Sequence, residues 1–450
     1  MGVYLPVSVI YRLFGVSATT TTVWPLLSAL LIIVMVWVAL LMQPLSAKVY
    51  GIVLSVTCIA LFRQSCDLYP DIIAAAFIAL SSLALYFRRW ASAERGRWVV
   101  PIGAVAALLV AFAAKETAYW VLPVWAMTLV WDLKQGHHII LRRFYLPAIC
   151  SIILLGALYL LLMQLEFGDC LARFKGVQEL SGKHLWSWHD RNIFFRITVA
   201  PVIFLLREYG IILIMVFLDF VVYPGKMRFW KLYTVTLLLL FWFGTSSFTQ
   251  YEPLPLEERM SLPLLPGFVI LASHFGSRLF ALGEERAAFR PWPVFFLIAF
   301  LVAYPCARFH VGAQKWQFRE ISGAMTIVKE KMQTNAGFRY LLLTSDKRSP
   351  EILPFFFSYN YPSNLVVCSF EKGRILVETG DYDYLFLYVD GPLSSMWKVA
   401  YGIANYDEAF RALGLEMIYE CNEVRLFTGQ IDGLLRKSLM GIPIAKRDVK

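Results

Sequence analysis

The stretch LLVAFAAKETAYWVLPVWAMTLVWDL, residues 108–133, decides the fold class. Apolar residues lead up to Lys115–Glu116 and resume directly afterwards, so the runs 98–115 and 117–133 are separated by one charged pair. Each run approaches the roughly 20 residues that a helix needs to cross the hydrocarbon of a bilayer. A single charged pair leaves room only for a tight turn, so the stretch reads as two helices of one membrane hairpin.

The same signature continues on both sides. Apolar runs lie at 24–43, 48–63, 71–88, 142–164, 198–222, 230–247, 259–276 and 292–308. Of these, 48–63 is short and 198–222 is interrupted by Arg207–Glu208. The expectation is a polytopic α-helical membrane protein with about ten spans. Composition agrees, with 58% hydrophobic and 16% charged residues, against about 25% charged in an ordinary soluble protein. Trp24, Trp90, Trp98, Trp120, Trp131, Trp230 and Trp292 stand at the ends of apolar runs, where interfacial anchors belong.

The formal net charge of +10 does not indicate nucleic acid, because the basic residues form short clusters between apolar runs and no continuous basic face. Their spacing sets orientation instead. Arg88, Arg89, Arg95 and Arg97, then Lys134, Arg142 and Arg143, then Lys226, Arg228 and Lys231, then Arg278, Arg286 and Arg290 mark every second loop as cytoplasmic. Segment 1–23, the loop 64–70, the Lys115–Glu116 turn, the long loop 165–197, the acidic 248–258 and everything beyond 308 then lie outside. Both termini are expected to be extracytoplasmic. Segment 1–23 holds one basic residue, Arg12, and does not read as a cleaved signal.

From about Phe309 the apolar runs shorten to strand length, at Arg339–Ser345, Leu365–Ser369, Tyr384–Asp390 and Val424–Thr428. They alternate with helix-like stretches at Phe318–Gln333 and Ser395–Leu413. The division expected is an extracytoplasmic or interfacial segment 1–23, a transmembrane region 24–308 and a small extracytoplasmic α/β domain 309–450.

Ionisable residues at the rim of apolar helices are costly in lipid and call for a partner, a wet cavity or a task. Asp67 and Asp71 flank a YPD turn, Lys115 and Glu116 close a span, Arg207 and Glu208 interrupt another, and Glu252, Glu257, Glu258 and Arg259 lead into a further one. The loop count puts all of them on the outer face. Taken one pair at a time, they are also what helix ends show when charges snorkel to the surface. Their gathering on one face points to a site where Lys115, Arg207 or Arg259 holds an anionic headgroup and a carboxylate acts on an acceptor hydroxyl.

Elsewhere the chemistry is thinner. His137 and His138 lie in a basic loop, while His184 and His189 flank Trp186 and Trp188 in a segment suited to the membrane surface. Seven cysteines show no metal-ligand spacing, and Cys66 and Cys170 form a candidate outer disulfide. No GxGxxG or P-loop occurs, and the C-terminal domain is assigned no chemistry.

Four passages resemble the GT-C membrane glycosyltransferases, especially bacterial relatives of the protein O-mannosyltransferases and of the lipid A aminoarabinose transferase. They are YLPVSVIYRLFGVSATTTTVWPLLSALL (Tyr4–Leu31), CDLYPDIIAAAFIALSSLALYFRRW (Cys66–Trp90), the opening stretch Leu108–Leu133, and EERMSLPLLPGFVILAS (Glu257–Ser273). The resemblance implies transfer of a sugar from a polyprenyl-phosphate carrier to a lipid, glycan or protein acceptor at the outer face of the plasma (inner) membrane, with inversion at the anomeric carbon. It assigns Asp71 to the acid of the YPD segment, Lys115 and Glu116 to the family's KE pair, and Arg259 to the Arg of the RY.lP helix. Lys115 and Arg259, with Arg207, would bind the carrier phosphate. Asp71 would orient the acceptor or a divalent metal, with Asp67 and Glu116 as further catalytic candidates.

Family members also open with a helix and an outer loop that supplies the main carboxylate, and the resemblance here starts after that loop. A protein that binds, flips or helps assemble lipid-linked glycans without catalysis is therefore the alternative to a transferase. A ligase or polymerase of envelope polysaccharide is a third reading.

Overall fold

Where no water can reach, backbone amides must bond within their own segment, and long apolar runs therefore become helices. The computed structural model describes residues 3–66, 68–92, 98–171, 175, 193–244, 256–285, 317–344, 353–357, 361–379, 382–390, 410–421, 424–433 and 435–437. The chain divides into two compact units, Met1–Val311 and Gly312–Lys450.

The first unit opens with α1 (Tyr4–Phe14) and α2 (Ala18–Ala39). Segment 1–23 is thus largely helical, and α2 begins before the expected position 24. Ser17 explains the early start: its hydroxyl accepts from the Thr20 amide while the Thr20 hydroxyl accepts from the Ser17 amide, a reciprocal cap that satisfies two free donors. Next come α3 (Leu45–Thr57) and α4 (Ile59–Cys66), bent by 57° across Cys58. After them follow α5 (Pro70–Tyr86), α6 (Val99–Ala114), α7 (Leu122–Lys134) and α8 (Leu146–Phe167). The unit continues with α9 (Ala200–Val222), α10 (Arg228–Phe243) and α11 (Leu265–Glu285).

Within the described residues every expected run up to 259–276 is mainly helical, and 292–308 lies outside them. Full crossing length is rarer than the run count suggests. Among the described residues four helices are long and apolar enough to span, at Thr19–Ala39, His138–Phe167, Ala200–Val222 and Glu258–Ala281, and the bent α3–α4 pair adds a fifth when counted as one broken span rather than a re-entrant loop. Helices α5 and α6 are shorter, at 17 and 16 residues.

Helix α11 is the hub of this unit. Its apolar window is 72% buried, whereas that of His138–Phe167 is only 17% buried and turns its Leu and Ile side chains outward. Close approach to α10 depends on Gly267, where a Cβ would collide with Tyr233 and Thr234; small residues let membrane helices pack at such distances. Two expected interfacial anchors, Trp120 and Trp230, are core residues at 2% and 1% exposure, while Trp90 and Trp98 are exposed. Hydropathy marks the end of a run, but which face an aromatic ring takes is set by the neighbouring helices.

The second unit carries a five-stranded sheet in the order β2-β1-β3-β5-β4. Its strands are β1 (Tyr340–Thr344), β2 (Leu365–Ser369), β3 (Tyr384–Asp390), β4 (Glu416–Cys421) and β5 (Val424–Gln430). β1 runs parallel to β2 and β3, whereas β5 pairs antiparallel with β3 and β4. Leu341, Leu343, Leu385 and Leu387 face one core, and Tyr340, Leu342, Phe386 and Tyr388 face another beneath α12 (Gln317–Thr334). A strand covered on both faces needs a continuous apolar run, and YLLLT supplies one. Strand β4 was not expected from the sequence; it is an edge strand with no fully buried residue, so it lacks that signal. Most of the expected helix Ser395–Leu413 lies outside the described residues.

Candidate active site at one end of the helix unit

Asp71 occupies the first turn of α5, behind Pro70 at the first helical position. The partial positive charge of a helix start favours a carboxylate there, and Asp71 is 4% exposed. Lys115 follows α6 with extended backbone (φ −150°, ψ 141°) and leads into the 3₁₀ turn Glu116–Val121. That break turns its side chain back, and its ammonium pairs with Oδ1 of Asp71 and lies 3.2 Å from Sδ of Met260. Oδ2 of Asp71 has no hydrogen-bond partner. Arg259, next to Met260, pairs with Glu257 and stacks 5.1 Å from the ring of Tyr69, two residues before Asp71. Asp71, Lys115 and Arg259, expected from the sequence, therefore converge.

The remaining expected residues fare differently. Asp67 lies outside the described residues, and for Glu116 only the backbone is described. Arg207 pairs with Glu208 but its side chain is 67% exposed, so it does not enter the Lys115–Asp71 group.

The sequence reading missed several members of the same region. Arg63 on α4 pairs with Glu258, and a lone arginine ending the short run 48–63 was the available signal. Glu258 in turn lies within electrostatic reach of Glu208. Tyr209 bonds Ser261, 2.8 Å to its hydroxyl and 3.1 Å to its carbonyl. Three backbone breaks feed this end of the unit: the α3–α4 bend at Cys58, the extended Lys115, and Gly210 within α9 at φ 41°, ψ −113°. Non-helical backbone at membrane depth persists only where protein or a wet cavity covers it. Among the described residues the ions here balance, as Lys115–Asp71, Arg259–Glu257, Arg63–Glu258 and Arg207–Glu208.

A second polar group lies at the other end of α5, about 25 Å away at 1.5 Å per residue. Arg88 pairs with Asp132 through two nitrogens, one at 2.8 Å, and Tyr145 donates to the same carboxylate at 2.9 Å. Asp219 joins Lys231 at 3.1 Å and Nδ1 of His274 at 2.6 Å. Arg88 and Lys231 were read as loop charges but are each 7% exposed. Position next to a loop does not reveal that a buried acid waits on another helix. These pairs tie the turn after α5 to α7, and α9 to α10 and α11.

Among the described residues no group of three or more His, Cys, Asp or Glu comes together to hold a metal ion. Cys170 is a free thiol, so the expected Cys66–Cys170 disulfide is absent. Its segment is held instead by Gln164, whose side chain accepts from the Cys170 amide at 3.1 Å.

No family model matches the chain, and neither does any curated protein sequence. Two solved structures share the fold. ArnT from Cupriavidus metallidurans in the apo state aligns with a TM-score of 0.55 at 12% identity, over 95% of this chain and 87% of that one. The same protein bound to undecaprenyl phosphate aligns with a TM-score of 0.56 at 13% identity over the same shares. The chain thus shares the fold of these structures, a polytopic set of apolar helices followed by a small mixed sheet.

Proposed function

We propose that this protein, sharing its fold with a structure that holds undecaprenyl phosphate, is a multi-pass membrane glycosyltransferase acting on a polyprenyl-phosphate-linked sugar. The acceptor is a lipid, glycan or protein of the cell envelope, and the Lys115 end faces outward from the inner membrane. The observation that carries the reading is Lys115: a nearly buried ammonium beside Arg259, whose partners are one carboxylate and a thioether. A thioether is a weak acceptor, so a phosphate oxygen is the better partner for that position.

Charge balance gives the order of events. An arriving carrier phosphate replaces Asp71 as the partner of Lys115, and Arg259 takes a second phosphate oxygen. Asp71, released, accepts the hydrogen bond of the acceptor hydroxyl. The acceptor oxygen then attacks the anomeric carbon, the bond from that carbon to the phosphate oxygen breaks, and the proton passes to Asp71. Lys115 and Arg259 hold the charge gathering on the leaving phosphate.

The test is sugar transfer by the purified membrane protein from polyprenyl-phosphate donors, with Lys115→Met alongside. The variant should insert normally and lose both carrier binding and turnover. Unchanged transfer would remove Lys115 from the site, while carrier binding without turnover in the wild type would make the protein a binder of lipid-linked glycans.

A further inference from the structure

Glu208 has no role in that mechanism, yet it is the less explained carboxylate. It sits on α9 at 6% exposure, two residues before the break at Gly210. One oxygen accepts from Arg207 at 2.7 Å, and the other, Oε2, has no hydrogen-bond partner. A buried oxygen without a donor is costly, and here the cost is raised by the like charge of Glu258. Arg207 relieves little of it, being two-thirds in solvent. Among the described residues, Arg63 pairs with Glu258, and the neutral phenol of Tyr209 bonds Ser261.

Location narrows what the missing donor is. Tyr209, the next residue, bonds Ser261, and Ser261 follows Met260, whose sulfur touches the Lys115 ammonium. Tyr209, Ser261 and Met260 thus link Glu208 to the cation assigned to the carrier phosphate. The group bonded to that phosphate is the sugar, and its surface consists of hydroxyls.

We propose that Glu208, backed by Glu258, forms a subsite that accepts a hydrogen bond from a hydroxyl of the sugar carried on the phosphate, and so contributes to choosing the sugar. This rests on the transferase reading above, in which Lys115 holds the phosphate. Glu208 binds the part of the donor that moves, Lys115 the part that leaves.

The experiment compares binding of bare polyprenyl phosphate with that of polyprenyl phosphate charged with glucose, mannose or galactose, in wild type, Glu208→Gln and Glu208→Leu. Wild type should bind at least one charged carrier more tightly than the bare one. Glu208→Leu should lose that advantage, by about ten- to a hundredfold for a hydrogen bond to a charged group, and Glu208→Gln should lose part of it. Both should bind the bare carrier as wild type does, which also reports that they fold. The proposal is overturned if no charged carrier gains over the bare one, if the gain survives in Glu208→Leu, or if both variants lose bare-carrier binding. Failure of wild type to bind bare polyprenyl phosphate, or binding indifferent to Lys115→Met, sinks the transferase reading instead, and the subsite with it.

Discussion

Asp71 and Lys115 are each other's partner, so each limits what the other can do. Removing the charge of Asp71 tests this. Asp71→Asn should bind bare polyprenyl phosphate more tightly, by about tenfold if one charge-assisted contact no longer competes, while transfer falls. A titration of carrier binding set beside a transfer assay reads both, and weaker binding in the variant would contradict the exchange. The opposite end of the unit makes a different residue-scale prediction. Arg88→Met strands Asp132 with only Tyr145 beside it, and losing one member of a buried ion pair costs about 3–5 kcal/mol. The double variant Arg88→Met with Asp132→Leu should recover much of that loss in a detergent melting experiment, because neither charge is then left unpaired.

Among elements, the broken helices matter more than the straight ones. Helix α9 could have run unbroken through residues 200–222, since its composition is apolar on both sides of residue 210. Gly210 interrupts it at a positive φ with open space where a Cβ would stand. The obstacle to a side chain there is backbone conformation, which costs about 1–3 kcal/mol for residues other than glycine. Gly210→Ala should lower thermal stability by that amount or straighten the helix and displace Glu208 and Tyr209; an unchanged melting curve with unchanged carrier binding would count against the break being required. Lys115 was visible as a charge between two apolar runs, and Asp71 as an acid after Tyr-Pro. Arg63 was hidden at the end of a short run, and Glu258 was seen as part of an acidic loop without its arginine. A charge in a run announces that a partner is needed; it does not say which helix supplies it.

At the scale of the molecule, the second unit should show ordinary pH linkage. Burial pushes the Cys368 thiol up to about 11 from 9.0, and it also raises the phenols of Tyr340 and Tyr361. For each group the folded form holds its proton more tightly than the unfolded chain, so the stabilisation is complete at lower pH and is lost as pH rises. For Cys368 the window is pH 9 to 11, and the loss is at most about 3 kcal/mol at about 1.4 kcal/mol per pKa unit. The unfolding midpoint of the second unit should fall across that window, and Cys368→Ala should flatten part of the fall. A midpoint insensitive to pH between 9 and 11 would show that the thiol is reached by water.

Run length and composition alone determined that this is a helical membrane protein followed by a small α/β unit, because transfer of apolar side chains and backbone amides into hydrocarbon depends on local sequence and little else. The Lys–Glu turn and the acid after Tyr-Pro also marked where charge would have to be answered. Only the tertiary structure decided the answers: Asp71 for Lys115, Glu258 for Arg63, Asp132 for Arg88 and Asp219 for Lys231. Each is a contact between separate elements, 12 to 195 residues apart in the chain, and no local pattern encodes which helix lies beside which.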